Sequence, residues 1–409
     1  MTRCIWYDGF PFMTSLQWSD AAFAIRLTLR VLIGVSCFSI PALSASGDAY
    51  PADEPPLADA ENDPALDSQA GQDENTRKPW LITPTLSADP KLGANVGALI
   101  AYVKKLDAES TPSMFGLSVS YSDTDSSTGA LFGQLYWGQD TRRLTLLAAT
   151  AEVNNEYDDF LNLGSAVETQ DSVHSYAARY MQQFRPGGWF AGIQGVSTNY
   201  TVGADDSLQG VIDQIGLSGF DATGLGLILQ HDTMDNQRDP SAGHLFTLHN
   251  IAYRKTFGGE SSFDVGLLDL SWYHSLGNSW SKRTSRAPVI AVQVTARVTD
   301  DAPPSGFSSV TLPSYTRGNY LSQHYSHLLV DGRFPLTKKF GLVAFGGVGC
   351  QFGVDILNRD VSCDDALFPA FGAGVSYMLK EEASVLIRLE FAKGKSDNEA
   401  VYLRFGHSF

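Results

Sequence analysis

The sequence predicts an all-β protein, an antiparallel transmembrane β-barrel of about sixteen strands. Apolar and polar residues alternate with period two from Trp80 to Phe409, with turn-forming residues between the alternating segments. The chain is 43% hydrophobic, yet its mean hydropathy is only -0.10, because every second residue of such a strand faces the lumen. A helical membrane protein would need several apolar runs of about 20 residues. The sequence has one apolar run, and it is shorter.

Residues 1–45 are typical of a secretion signal. Arg26 and Arg30 precede an apolar stretch, which is followed by small residues suited to cleavage. With about ten apolar residues the stretch falls well short of a bilayer span, so a membrane anchor is the weaker alternative. Met13 is a second candidate start. Cys37 lacks the preceding leucine of a lipoprotein site.

An acidic segment, residues 46–79, follows the signal. Between Asp48 and Glu74 it contains nine acidic residues and four prolines. This composition cannot bury enough apolar surface to offset the entropy of ordering, so we expect a flexible periplasmic tail. The segment is also too short for an accessory domain of typical size.

The predicted barrel occupies residues 80–409. Its sixteen strands are predicted at 80–88, 94–104, 113–123, 128–138, 142–153, 172–184, 188–200, 221–231, 243–254, 262–275, 287–298, 323–335, 340–350, 367–379, 383–392 and 399–409. An even number is typical of single-chain outer-membrane barrels.

The penultimate strand illustrates the two predicted faces. Leu389 and Phe391 lie on the lipid face, and Arg388 and Glu390 on the lumen face. This arrangement is favourable because a lipid-facing charge at the midplane costs about 2–4 kcal/mol. A soluble β-sandwich could alternate in the same way, but it does not account for the secretion signal and the many hairpins.

Connection lengths predict an orientation in the bacterial outer membrane, in contact with its lipids. If the first strand runs outward, the longest connections are all extracellular: 154–171, 201–220, 299–322 and 351–366. Four short connections are then periplasmic: 139–141, 185–187, 336–339 and 380–382. Outer-membrane barrels show this asymmetry.

Cysteine positions and net charge bound the chemistry further. Cys350 and Cys363 are separated by twelve residues, and an oxidising compartment could join them in a disulfide. The alternative is two free thiols. The formal net charge of -16 argues against nucleic acid as a partner, since phosphate binding needs clustered Lys and Arg.

Motifs along the barrel resemble those of the BamA/TamA-like bacterial surface antigen barrels. A glycine-rich segment, 224–229, runs into Asp-Thr-Met-Asp-Asn at 232–236 and a Pro-x-x-Gly at 240–243. These are similar to the family's glycine-rich strand, D-T-R-D-N turn and P-x-x-G, although Met234 replaces the usual arginine. The C-terminal Phe409 resembles the targeting end that barrel assembly machinery recognises.

Two further motifs resemble the family's loop lock. Arg317, Gly318 and Tyr320 are similar to the R-G-[FY] motif of a sixth extracellular loop that folds back into the lumen. The segment 331–336, Asp-Gly-Arg-Phe-Pro-Leu, is similar to E-x-R-F-P on the twelfth strand. The resemblance implies that Arg317 pairs with the lumen-facing Asp331 and holds the loop inside. The alternative is a solvated loop arginine.

The sequence lacks a second acidic residue that the resemblance would imply for this loop lock. The family commonly carries an acidic residue in an F-x-D-x-G pattern on the thirteenth strand, and Gly347 occupies its place here. We therefore expect a loop that is held less firmly than in the family.

The resemblance implies a function in protein insertion, translocation or membrane remodelling, with an unknown periplasmic partner. Family members use periplasmic POTRA domains, for which 46–79 has no room, so we expect a stand-alone barrel. The alternative is a passive pore or transporter for small solutes, which requires an open lumen. Pro84 removes a backbone donor from the first strand. It marks either a weak closing seam or an irregular strand start.

We expect no enzymatic activity, cofactor or metal. The eight histidines are scattered over many strands, and none accompanies a recognisable nucleophile motif. His231, Asp232 and Asp235 could be drawn as a metal site, but a polar periplasmic turn explains them better.

Overall fold

The computed structural model describes residues 79–89, 93–157, 167–236, 239–277, 284, 286–380, 385–396 and 398–405. The predicted signal, all but the last residue of the predicted acidic tail, and Phe409 lie outside the described residues.

The described chain forms one antiparallel sheet of sixteen long strands and two short ones. The long strands are β1 (Trp80–Asp89), β2 (Gly93–Lys104), β3 (Ser113–Ser122), β4 (Ser127–Trp137), β5 (Arg142–Tyr157), β6 (Val167–Arg185), β7 (Trp189–Ala204), β8 (Gly219–Asp232), β9 (Gly243–Tyr253), β10 (Phe263–Ser275), β11 (Val289–Asp300), β13 (Leu321–Pro335), β14 (Phe340–Asp355), β16 (Leu367–Lys380), β17 (Val385–Lys393) and β18 (Glu399–Phe405). The two-residue strands are β12 (Ser308–Ser309) and β15 (Asp360–Val361). The sixteen long strands match the sixteen predicted ones, so the predicted fold class is confirmed.

Each long strand pairs with the long strands before and after it in the chain, and β1 returns to β18. The short strands β12 and β15 extend the sheet locally, on β13 and β14. This is the topology of an up-and-down barrel, in which closure removes exposed strand edges.

Side chains of β17 show the predicted alternation. Leu389 and Phe391 are each 49% exposed, whereas Arg388 and Glu390 are 0% and 2% exposed. The exposed apolar residues face the lipid and the buried charges face the lumen, as period two requires.

The two ends of the barrel differ. One, called here the long-loop end, carries the connections 205–218, 301–320 and 356–366; the other, the short-turn end, carries 138–141, 186–188 and 336–339. The short-turn end also has three longer connections, 105–112, 233–242 and 276–288. Thus the longest predicted loops do share one end, but the opposite end is less uniform than predicted.

Strands β5 and β6 extend further toward the long-loop end than predicted. Their pairing continues from Val153–Asp171 to Tyr157–Val167. Beyond them a helix, α1 (Asp206–Gln214), lies in the connection between β7 and β8. Its Ile212 is buried in a small apolar cluster with Leu217. No helix in the described part of the chain is long and apolar enough to span a bilayer.

The ladder between β8 and β9 is interrupted at Gly226. Backbone pairs run up to Leu225–Ala252 and resume only at Ile228–His249. Asn250 fills the gap, because its Oδ1 accepts from the Leu227 N–H at 3.0 Å. A Cβ at Gly226 would lie 1.6 Å from the Asn250 carbonyl oxygen, so only glycine fits there.

Gly226→Ala should therefore destabilise the barrel by about 2 kcal/mol or more, since the added methyl forces the two backbones apart. The control is Gly129→Ala on β4, where a Cβ would make one ordinary contact, 3.6 Å from Thr150 Cγ2. Urea midpoints of the two variants in detergent, read by circular dichroism, make the comparison. Equal midpoints would contradict the assigned role of Gly226.

Candidate functional site

The loop between β11 and β13, residues 301–320, lies inside the lumen. Its Val310, Leu312 and Tyr315 are 0%, 1% and 4% exposed. They share an apolar cluster with lumen-facing wall residues of β13, β14, β16, β17 and β18: Tyr325, Leu329, Phe345, Phe368, Ala370, Ala392 and Tyr402. Burial of these apolar groups away from lumen water favours the inward position of the loop.

Two tyrosines fasten the loop to the wall near the junction of the last and first strands. The Ser314 N–H donates to the Tyr402 hydroxyl on β18 at 2.9 Å. The Tyr315 hydroxyl donates to the Pro369 carbonyl at 2.7 Å and accepts from the Lys395 N–H, also at 2.7 Å. Burial raises the pKa of Tyr315 above its ordinary value, so the hydroxyl keeps the proton that it donates.

The base of the loop is fastened separately. Arg297 of β11 donates to Ser308 Oγ and to the Gly306 carbonyl, both at 3.1 Å. The Gly318 N–H donates to Ser309 Oγ at 2.9 Å. The loop is thus held at its base, along its apolar side and at its tyrosines.

Asp331 of β13 is the centre of a buried charge cluster in the lumen wall. Arg388 contacts both carboxylate oxygens, with Nη2–Oδ1 at 2.8 Å and Nη1–Oδ2 at 3.2 Å. Arg333 Nε donates to Oδ2 at 3.0 Å. Arg388 Nε also donates to Glu390 at 2.5 Å, and the other Glu390 oxygen lies 4.0 Å from Arg404 of β18.

The structure corrects the predicted partner of Asp331. Gly318, next to Arg317, bonds to β12, which pairs with Leu321 at the start of β13. Asp331 lies ten residues further along the same strand, which is roughly 33 Å at 3.3 Å per residue. Arg317, whose side chain is exposed, is too far away to reach that carboxylate. The bidentate guanidinium comes from Arg388 instead.

The other predicted lock residues do contribute to the loop. The Tyr320 hydroxyl accepts from Asn398 Nδ2 at 3.0 Å, and its ring packs 5.1 Å from that of Phe368. Gly347, where the family has an acid, faces the loop: a Cβ there would lie 3.1 Å from Leu312 Cδ2. The apolar side chain of Leu312 thus packs at the position where the resemblance would place the second acidic residue.

Among the described residues, the junction between β1 and β18 has one paired position, Ala88–Leu403. In comparison, β1 and β2 share ten pairs and β17 and β18 share seven. Pro84 lies within β1 and supplies no N–H donor. The pairing of β1 with residues 406–409, which follow β18 in the chain, lies outside the described residues.

The remaining predicted sites are placed as follows. Cys350 and Cys363 are joined, with an S–S distance of 2.11 Å. His231 contacts His244 at 2.8 Å, whereas the neighbouring Asp232 turns to the other face and pairs with Arg143 at 3.0 Å. Within the described residues, no group of three or more His, Cys, Asp or Glu is arranged to hold a metal ion.

Arg388→Met should destabilise the barrel by about 3–5 kcal/mol, because it leaves two buried carboxylates without their shared cation. The control is Arg359→Met, whose side chain is 68% exposed and pairs with Asp355; an exposed pair contributes about 0–1 kcal/mol. Urea unfolding in detergent measures both. A loss at Arg388 no larger than that at Arg359 would remove the buried cluster from the account of stability.

Tyr315→Ala should raise the conductance of the refolded barrel in planar bilayers, because it removes two hydrogen bonds and part of the apolar cluster that hold the loop inside. Arg317→Ala should raise it less, since that side chain is exposed. The opposite order of the two variants would restore the predicted arginine lock.

Comparisons with known proteins add the following. No family model matches the sequence, and neither does any curated protein. Among solved structures, BamA from Haemophilus ducreyi lacking POTRA domains 1-3 is similar with a TM-score of 0.53 and 10% identity, over 94% of this chain and 77% of that one. CdiB from Escherichia coli has a TM-score of 0.55 and 13% identity, over 81% of this chain and 63% of that one. CdiB from Acinetobacter baumannii has a TM-score of 0.54 and 9% identity, over 80% of this chain and 59% of that one.

The likeness to BamA includes nearly the whole chain, whereas the chain spans less than two thirds of either CdiB. At these identities the likeness concerns the fold. It agrees with the sixteen long strands and with the outer-membrane pattern of lipid-facing and lumen-facing residues. The protein has the fold of the BamA/TamA-like barrels, a β-barrel fold of the bacterial outer membrane.

Proposed function

We propose that the protein inserts or translocates polypeptides, or remodels the membrane, through the junction of β1 and β18. The observation that carries the proposal is that the described residues form one backbone pair at this junction, Ala88–Leu403. Every other pair of neighbouring long strands shares at least seven paired positions.

Sparse backbone pairing among the described residues gives this junction its chemistry. Within a bilayer each unsatisfied backbone N–H or C=O costs several kcal/mol, because lipid offers no hydrogen bonds. An incoming polypeptide segment in an extended conformation can satisfy such an edge by adding a strand to it. The substrate class that fits is therefore an unfolded chain with strand-forming segments.

The lumen supports this reading over the alternative of a passive pore. The loop 301–320 is packed against five strands of the wall and is fastened by Tyr315 and Tyr402. A solute channel would need this loop to leave. A large steady conductance of the wild-type protein would favour the pore.

The partners follow from the same geometry. The apolar face, with residues such as Leu389 and Phe391, contacts outer-membrane lipids. A periplasmic protein that delivers the unfolded chain is the further partner we propose. The barrel assembly machinery would insert the protein itself.

The test locks the junction with a cross-link. Directly paired residues have Cα atoms roughly 5 Å apart, within disulfide range, so Ala88→Cys with Leu403→Cys should form a disulfide under oxidation. The variant is placed in lipid vesicles, and an unfolded small outer-membrane barrel is added. Folding of the added barrel, the client, is measured by its heat-modifiable mobility on a gel. The reduced variant should accelerate this folding, and the oxidised variant should not. Reductant should restore the acceleration.

The control cross-links Val96→Cys to Tyr121→Cys, an exposed pair within the fully paired strands β2 and β3. It should leave the acceleration unchanged. Equal acceleration by the locked and the reduced junction would exclude the junction as the route. No acceleration by either, together with a large steady conductance, would select the passive pore.

A further inference from the structure

A chain of seven alternating charges runs along the short-turn end of the lumen. In order, its members are Arg404, Glu390, Arg388, Asp331, Arg333, Asp239 and Arg286. The successive nitrogen–oxygen distances are 4.0 Å for Arg404–Glu390, 2.5 Å for Arg388–Glu390, 2.8 Å for Arg388–Asp331, 3.0 Å for Arg333–Asp331, 3.9 Å for Arg333–Asp239 and 2.5 Å for Arg286–Asp239.

The chain joins elements that are far apart in the sheet. Arg404 lies on β18, the strand at the weakly paired junction, and Glu390 lies on β17. At the other end, Asp239 belongs to the connection between β8 and β9. In a barrel whose β1 meets β18, β8 and β9 are on the side opposite that junction.

The connection between β8 and β9 folds inward at this point. It is called here the strap and is described at residues 233–236 and 239–242. Arg333 Nη1 donates to the Pro240 carbonyl at 3.2 Å, and Pro240 is buried. Arg333 also lies over the ring of Tyr273, 5.5 Å from its centroid. The strap therefore reaches past β10 and β11 to the lumen face of β13.

The strap is ordered from within as well. Asp235 accepts from the Ser241 N–H at 2.9 Å, from the Ser241 hydroxyl at 2.6 Å and from the Ala242 N–H at 3.1 Å. These contacts fix the residues next to Pro240. A prearranged segment loses little entropy when it docks, which favours a defined inward position.

We infer that the strap closes the short-turn end of the lumen and that its docking, through the ion-pair chain, fixes the position of β18. The chain contains four arginines and three carboxylates. Loss of Asp239 removes the carboxylate that lies between Arg286 and Arg333. Arg333 can then shift, and the change is passed through Asp331, Arg388 and Glu390 to the arginine on β18. Coupling of this kind needs a contiguous physical network, and the seven side chains supply one.

The inference concerns closure and the position of β18, and it does not depend on what passes through the junction. A ligand that approaches from the short-turn side and competes for Asp239 or Arg286 would release the strap. Because coupling between two sites is reciprocal, a change in the pairing of β18 should also change how tightly the strap docks.

The test measures the strap and the junction in separate variants. Pro240→Cys reports on the strap, because residue 240 is buried and should react slowly with a maleimide while the strap is docked. Adding Asp239→Asn should raise the labelling rate roughly tenfold, which corresponds to about 1.4 kcal/mol. In the Ala88→Cys, Leu403→Cys variant, Asp239→Asn should slow oxidative cross-linking severalfold, since β18 is no longer held in place.

Asp264→Asn is the matched control. It weakens a half-exposed pair in which Arg254 Nη2 contacts both Asp264 oxygens, at 2.8 Å and 2.9 Å, at the long-loop end and outside the chain of charges. It should change neither rate. Arg286→Gln, which also breaks the last link, should act in the same direction as Asp239→Asn.

Unchanged labelling in both Asp239→Asn and Arg286→Gln would overturn the docked strap. Faster labelling with unchanged cross-linking would overturn its coupling to β18. Neither readout uses client folding, so a failure here is distinct from a failure of the proposed insertion activity.

Discussion

Backbone hydrogen bonding is the constraint on which the whole structure depends. A strand in lipid must pair along both edges, because no water is present to replace a missing partner. The strands satisfy this rule through long ladders, such as the twelve paired positions between β10 and β11. At the junction of β1 and β18 the described residues form one backbone pair, which is why the proposed function is placed there.

The lumen contains two fastening systems, which are sets of contacts of different physical kinds. The loop 301–320 is held by apolar packing and by neutral hydrogen bonds to Tyr402 and Pro369. The wall below it is held by the buried cluster around Asp331. A buried ion pair is weak evidence for net stability, because desolvation offsets its attraction, but it imposes a defined geometry. In this barrel the charge cluster links side chains of β13 and β17 across the lumen wall, and the apolar cluster packs the loop against that wall.

The sequence was sufficient for the strands and for the faces of their side chains, because period two is a local property. It placed Arg388 and Glu390 in the lumen and the long loop between the correct strands. It missed that Arg388 meets Asp331, 57 residues away, because that contact depends on the stagger of strands around the closed barrel. The full length of β5 and β6 was missed for another reason. The missed residues include Asn155 and Thr169, which are buried, and Gln170, which is exposed; because both faces are polar there, the hydropathy alternation fades where the ladder continues.

Both fastening systems converge on β18, and this bears on how the junction could open. Tyr402 accepts a hydrogen bond from the loop, and Arg404, two residues later, lies 4.0 Å from Glu390. Toward β1, the described residues of the same strand make one backbone pair. Contacts with the lumen are thus a large part of what is described to hold β18, apart from its ladder with β17. Release of the loop or of the charge cluster would free the strand without breaking a long ladder. Under the proposed function, an extended segment would then add to the β1 edge at this junction, where the lumen contacts of β18 have been released.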